Sequence, residues 1–359
     1  MRAIVMCGGI GTRLRPLTYT IPKPMVPVAN KPVLEYTIEL LRSHGIKDII
    51  MNLHFKPKII KNYFRNGEQW GVNITYSFER KPWGTAGGVK KAEDFFKKGT
   101  FLVMSGDGLA NTNLTKLLKF HKQKAGIGTI VLKEVSARLE YGIAAVSKGG
   151  EISHFLEKPG WGEVFHGMAG GINTGIYVLE PEVLKYIPRN KEFDFAKNLF
   201  PLLLKKKKKI YGYYTTDYWC DIGNLLQYRM AHKDILEGKV RVKIGGTRRW
   251  VGISGKFGGR GQAWIGEGCE IDSSAFLSSP LIIGKNCRVK KNVKISGATV
   301  LGNNSFVDEG AILQDCIIWD DAYIGKGVRI KNCIIGKNAR VIESISMFDG
   351  IVQLGGGEK

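Results

Sequence analysis

Branched apolar residues return every six positions at Ile265, Ile271, Leu277, Ile283, Val289, Ile295, Leu301, Val307 and Leu313. After single-residue deletions the beat resumes at Ile318, Ile324 and Ile330, and again at Ile335 and Val341. Fixed-period self-similarity of this kind is the mark of a repeat architecture, in which one short unit stacks on the next. Four positions after most markers stands a small or branched residue, such as Cys269, Ala275, Cys287, Val293, Ser305 or Ala311, which suits a narrow interior where coils lie directly on one another. Glycine follows the marker at Gly266, Gly284 and Gly302, eighteen residues apart, so three hexads make one coil.

These hexads resemble the hexapeptide repeat of left-handed parallel β-helices. The left hand is implied by the resemblance, because the usual crossover rule predicts the opposite. Such a prism braces a neighbouring domain or carries contacts between subunits, and self-association through it is expected here. Acyltransferases use the same prism with a catalytic histidine, but residues 240–359 contain no histidine, which argues against acyl transfer.

The first half reads differently. Apolar strands are predicted at about 2–6, 46–53, 72–78, 100–105, 127–135, 142–147, 172–179 and 210–215, with helical periodicity between them. Val33, Leu34, Ile38 and Leu41 follow Pro32, and Leu114, Leu117 and Leu118 follow Asn113. This alternation predicts an α/β fold, a Rossmann-like, mostly parallel sheet with flanking helices and a ligand crevice at the carboxyl ends of the strands. The expected organisation is a catalytic domain over 1–237, ending in a helix at 223–237, a transition segment over 238–264, a β-helix over 265–345 and a tail over 346–359.

A chain of 359 residues is long enough for two such cores. No apolar stretch is long enough to span a bilayer and no cleavage site follows the opening MRAIVMCGG, so a cytoplasmic location without membrane contact is expected. The six cysteines form no CxxC pair and are read as reduced core residues. The net charge of +22 fits phosphorylated substrates; its one dense run, Lys205 to Lys209, is read as a solvated helix end and loop, with no nucleic-acid role.

Chemistry enters right after the first strand. Residues 8–23 read GGIGTRLRPLTYTIPK, in which Gly8, Gly9 and Gly11 let backbone N–H groups approach an anion while Arg13, Arg15 and Lys23 supply positive charge. No Gly-Lys-Ser/Thr closes the loop, so it is not a Walker A motif. The string Gly-Gly-x-Gly-Thr-Arg-Leu-x-Pro-Leu-Thr with its trailing Pro-Lys-Pro resembles the signature of the sugar-1-phosphate nucleotidylyltransferases. That resemblance extends over nearly the whole chain.

It implies roles for named residues. Gly8, Gly9, Gly11, Thr12 and Arg13 would cradle a triphosphate, with Arg13, Lys23 and Asp107 catalytic. Asp107 ends the strand Phe101 to Gly106, and Asp221 opens Asp-Ile-Gly; each alone reads equally well as a turn residue or helix cap, but in the family the pair holds the metal, so Mg2+ is the expected cofactor. This chain departs from the family at Leu109 to Asn113, where relatives often carry Thr-Asp-x-Asp. Glu157-Lys158-Pro159 matches the family motif whose glutamate reads sugar hydroxyls and whose lysine contacts the sugar phosphate. Tyr141-Gly142 and Asn173-Thr-Gly175 resemble further sugar-contact segments.

The stretch Glu79 to Gly88, including Pro82, Gly84 and Thr85, resembles the base-reading loop, with Gly106 completing the nucleotide site. Thymidylyltransferases carry glutamine where this chain has Glu79. A carboxylate only accepts hydrogen bonds, which suits the adjacent N1–H and N2 amine of guanine, whereas thymine and uracil suit an amide. Glu79 reads equally as a surface residue. The Gly-Thr-Ala-Gly string, Trp161 to Phe165 and the stretch from Phe193 to Trp219 resemble mannose-1-phosphate guanylyltransferases. The resemblance therefore implies GTP plus mannose 1-phosphate giving GDP-mannose and pyrophosphate. The alternatives are the same chemistry on glucose 1-phosphate with UTP, dTTP or ATP, and a catalytically silent regulatory subunit, against which Arg13, Lys23, Asp107, Lys158 and Asp221 together speak.

Overall fold

The computed structural model describes residues 1–97, 99–134, 141–147, 149–157, 170–252, 260–342 and 345–354. The chain forms two compact units, one of residues 1–10, 22–25 and 33–221, the other of 11–21, 26–32 and 222–359.

The first unit is built on a nine-stranded sheet. Its path runs Ile152–Glu157, Gly142–Val146, Gly170–Leu179, Phe101–Ser105, Arg2–Met6, Asp48–Leu53, Asn73–Phe78, and Gly128–Lys133 joins Gly170–Leu179 to Ile210–Tyr214. The expected strands are present, within a few residues of their predicted ends. The helix Val33–Ser43 begins directly after Pro32, which is pre-set for a helix start, and buries Val33, Leu34, Ile38 and Leu41 on one face. The helix Leu114–Lys124 is capped by Asn113, whose side chain accepts from the Lys116 N–H at 3.0 Å. Apolar side chains fill both faces of the sheet, including Phe96, Phe101, Phe195 and Phe200 on one and Leu34, Ile38, Leu41 and Phe64 on the other.

The sheet is mixed rather than mostly parallel. The strands Phe101–Ser105, Arg2–Met6, Asp48–Leu53 and Asn73–Phe78 pair in parallel, as do Gly128–Lys133 and Ile210–Tyr214. Gly170–Leu179, however, is antiparallel to all three of its neighbours, and Ile152–Glu157 is antiparallel to Gly142–Val146. Parallel pairing needs a crossover of a dozen or more residues, and the few residues between Val146 and Ile152 permit only a hairpin. The strand Ile152–Glu157 was not anticipated, nor was the two-stranded ribbon of Gly108–Ala110 with Trp219–Asp221, whose three-residue strands are too short to show a period.

In the second unit the hexads become three parallel sheets. Markers stack in register across coils, Val289 on Val307 on Ile324 on Val341, a step of eighteen that shortens to seventeen where the sequence drops a residue. Every marker from Ile283 to Val341 is buried. Asn286, Asn292, Asn304, Asp315, Asp321, Asn332 and Asn338 take positive φ between 51° and 61°, the conformation that Asn and Asp tolerate best after glycine. Gly284 has a steric reason, since a Cβ there would sit 2.6 Å from the Asn303 nitrogen on the next coil. Strand pairing starts with a hairpin, Thr247–Gly252 antiparallel to Arg260–Ile265, and persists to Ile351–Val352.

The helix Leu225–Leu236 belongs to this unit, capped by Asn224. Its buried Tyr228 donates to the Pro27 carbonyl at 2.7 Å and accepts from Trp319 Nε1 at 2.9 Å, while Asn30 Nδ2 donates to the Leu301 carbonyl at 2.8 Å. No disulfide joins any of the six cysteines; burial pushes the Cys287 and Cys316 thiols up to about 12. The helix Phe200–Lys205 ends inside the lysine run and the strand Ile210–Tyr214 follows it, as expected. Among the described residues no helix is long and apolar enough to cross a membrane.

Candidate active site

The first strand delivers Cys7, Gly8 and Gly9 to its carboxyl end, and the parallel strand Phe101–Ser105 delivers Ser105, Gly106 and Asp107 beside them. Gly106 donates its N–H to the Met6 carbonyl at 3.0 Å, and a Cβ there would lie 2.8 Å from Cys7 Sγ, so the two strand ends close together only because the residue before Asp107 is glycine. Asp107 accepts from the Ser105 hydroxyl. Asp221 arrives on the ribbon, paired in register with Gly108.

Lys23 joins the two aspartates. Its Nζ lies 2.5 Å from Asp107 Oδ2 and 3.3 Å from Asp221 Oδ1, and the residue is 8% exposed. Burial alone would push the ammonium down; attraction to Asp107 and Asp221 outweighs it and holds Lys23 above the ordinary lysine value. Burial likewise opposes the Asp107 charge, but the Lys23 ammonium and the Ser105 hydroxyl hold its carboxyl below the usual carboxylate range. Residues about two hundred positions apart in sequence thus converge on one cation.

A cleft of about 250 Å³ opens on this point. It is lined by Gly8, Gly9, Glu79, Pro82, Gly84, Thr85 and Asp107, all anticipated, and by Met6, Asn52, Ser105 and Asp194, which were not. Gly84 takes φ +69°, where a Cβ would also strike the Phe193 carbonyl oxygen at 2.7 Å. Thr85 donates its N–H and its hydroxyl to Asp194 Oδ1 at 3.2 and 2.9 Å, and Phe193 N–H donates to the Trp83 carbonyl at 2.8 Å. Asp194 therefore fixes the loop 83–87. Asn52 gave one legible signal, a lone amide in the apolar strand DIIMNL, which pays for its burial with hydrogen bonds.

The proposed sugar-side residues gather on neighbouring strands. Gly142 lies opposite Glu157, and a Cβ on it would come within 2.6 Å of Glu157 Oε2. Tyr141 meets Trp219 edge to face at 5.6 Å, and Trp219 Nε1 donates to the Thr174 carbonyl at 3.0 Å. Asn173 accepts from the Gly175 N–H at 3.0 Å and donates to the Tyr177 hydroxyl. Gly175, at φ +76°, approaches Ser105. Lys158 and the stretch Trp161 to Phe165 lie outside the described residues. Gly11, Thr12 and Arg13 fall in the second unit, where Gly11 adopts φ +74°, its carbonyl accepts from the Thr18 hydroxyl at 2.7 Å, and Arg13 is exposed.

Comparison with known proteins finds relatives for both parts of the chain. Residues 2–238 match the nucleotidyl transferase family and residues 260–354 match the GMPPB C-terminal domain. A UTP–glucose-1-phosphate uridylyltransferase of Synechocystis sp. is 40% identical over 267 residues, 70% of this chain and 68% of that protein. A mannose-1-phosphate guanyltransferase of Saccharomyces cerevisiae is 37% identical over 245 residues, 67% of this chain and 64% of that protein. The crystal structure of HddC from Yersinia pseudotuberculosis complexed with GMP-PN superimposes with a TM-score of 0.55 at 27% identity, covering 64% of this chain and 97% of that one.

Proposed function

Because this chain belongs to the nucleotidyl transferase family, and its relatives act on sugar 1-phosphates, we propose that it converts GTP and mannose 1-phosphate to GDP-mannose and pyrophosphate. The observation that carries the proposal is the joining of Lys23 and Asp221 to Asp107, which lines a cleft that a second carboxylate, Glu79, also lines. A phosphate oxygen of mannose 1-phosphate attacks the α-phosphorus in line, a new P–O bond forms, and the bond to the β-phosphate breaks to release pyrophosphate. No protein nucleophile is required, so the chain contributes position and charge.

The Gly8 and Gly9 backbone faces the triphosphate, Lys23 offsets charge on the α-phosphate, and Glu79 accepts from the two guanine donors. Glu157, Asn173, Gly175, Tyr141 and Gly142 bind the sugar. Roles for Lys158 on the sugar phosphate and for Gly11, Thr12 and Arg13 at the triphosphate rest on the sequence resemblance. The residues present suit magnesium: the two carboxylates already converge on one cation, and the donors are oxygen only. Asp107 and Asp221 would hold it, and when bound it supplies charge stabilisation on the phosphate oxygens. Among the described residues no cluster of three or more His, Cys, Asp or Glu could hold a metal, which leaves the other positions to phosphate oxygens and water.

A second reading, UTP with glucose 1-phosphate, is favoured by the 40% identical uridylyltransferase. Pyrophosphate release measured with GTP, UTP, dTTP and ATP against mannose and glucose 1-phosphates decides between them: preference for GTP and mannose 1-phosphate is expected, and preference for UTP and glucose 1-phosphate overturns the proposal. Self-association through the β-helix is part of the same reading, and light scattering showing a monomer at micromolar concentration removes it.

A further inference from the structure

Glu79 is 6% exposed, and its carboxylate meets two donors from its own chain. Asn52 Nδ2 donates to Oε1 at 3.0 Å, and the Trp83 N–H donates to Oε2 at 3.2 Å. The Asn52 amide cannot be turned around, because its Oδ1 accepts from the Cys7 N–H at 2.8 Å. Asn52 is itself 3% exposed, so a flipped amide would leave a buried N–H facing a buried N–H. Gly88 closes the arrangement, since a Cβ on it would lie 2.6 Å from Glu79 Oε1 and 3.0 Å from Asn52 Nδ2.

Two donors converging on one side chain demand an acceptor at both of its ends. A carboxylate meets that demand, whereas the amide of glutamine satisfies one donor and sets its own NH2 against the other. We propose that Asn52 is a positioning residue for base choice: by donating to Glu79 while its oxygen is held by Cys7, it makes residue 79 a carboxylate and aims the remaining lone pairs into the cleft. The inference rests on the reading of Glu79 as the group that faces the base. It places the choice between guanine and uracil at position 52 as well as at position 79.

Reversing position 52 reverses the demand. In Asn52→Asp the Cys7 bond is kept and the donor to Glu79 becomes a second carboxylate. In Asn52→Asp combined with Glu79→Gln, the glutamine NH2 donates to the carboxylate introduced at position 52 and its oxygen accepts from Trp83, leaving one N–H and one acceptor site for the base, a pattern that matches uracil.

The test measures binding of GTP and of UTP by calorimetry, and turnover of each with a sugar 1-phosphate, in the wild type, both single variants and the double variant, alongside melting temperatures. Expected is a fall of about tenfold or more in the GTP-to-UTP ratio for Asn52→Asp, carried by KM more than by kcat. The double variant is expected to recover melting temperature and to favour UTP. A ratio within twofold of wild type in Asn52→Asp overturns the proposal, as does a double variant that regains stability without changing preference. If Glu79→Gln alone leaves the ratio unmoved, the base-facing role of Glu79 falls and the proposal with it. If instead the wild type prefers UTP, the guanine reading fails, while a shift in ratio on Asn52→Asp still supports position 52.

Discussion

The cleft and the coils bury different kinds of side chain for different reasons. At the cleft, Lys23, Asn52 and Glu79 are almost wholly enclosed, and each is tied to partners far away in sequence. From Ile283 to Val341 the described buried residues are valine, isoleucine, leucine, alanine, glycine, cysteine and Trp319, with Thr299 and Ser305 as the polar members, and none is charged. The coils gain stability from burying apolar area, position by position. The cleft gives some of that up to hold charged side chains, so the two regions should fail in different ways when mutated.

The largest contrast comes from Asp107→Asn. A carboxamide is a poor magnesium ligand and cannot balance Lys23, so turnover should fall roughly 10²-fold or more with the fold intact. Pyrophosphate release at saturating magnesium, beside a circular-dichroism melt, reads both; a near-normal rate breaks the assignment.

Leu313→Ala is the converse. Leu313 is fully buried between coils, and truncation should cost about 2–5 kcal/mol of stability in a urea titration. Turnover at temperatures well below melting should stay unchanged. A loss in rate without a loss in stability would erase the distinction between the regions.

A pH effect sharpens the comparison within the second unit. Burial pushes His232 down from 6.5 to about 3, and its neutral ring accepts from the Ala29 N–H and donates to the Pro27 carbonyl. The unfolded chain therefore takes up this proton first as pH falls. Its contribution is complete above the ordinary histidine value and declines toward pH 3, by up to about 1.4 kcal/mol per unit. Urea midpoints at pH 7 and pH 5 should separate, and the gap should narrow in His232→Gln; an equal gap in both proteins refutes the assignment.

The smallest effect is expected at a coil corner. Asn304 sits at φ +57° and its amide donates to Asp321 on the next coil at 2.9 Å. Asn304→Ala should cost roughly 1–2 kcal/mol, and Asn304→Gly less, as measured by denaturation midpoints. Equal costs would show the amide ladder, not the backbone, to be the reason for asparagine.

The repeat was legible because its cause is local. A residue six positions on meets the same environment, so Val289, Val307 and Ile324 announce their burial by spacing alone. The parallel half of the sheet was legible for a similar reason, apolar runs separated by helix-length segments. The antiparallel half was not, because orientation depends on which strands become neighbours. At the cleft, Gly8, Gly9, Glu79, Gly84, Thr85, Asp107 and Asp221 could be picked out by their resemblance to a family. Asn52 and Asp194 could not, since each matters only through a partner 27 or 109 residues distant.

The amino-acid order by itself determined the coil period, the strand ends where Asp107 and Gly8 stand, and the presence of a carboxylate at position 79. Tertiary structure alone decided that Lys23 bridges Asp107 and Asp221, and that Asn52 and Trp83 present two donors to Glu79. The physical reason is range: periodic burial is set within a coil or a helical turn, whereas a buried charge or amide finds its partners only after distant strands have been brought side by side.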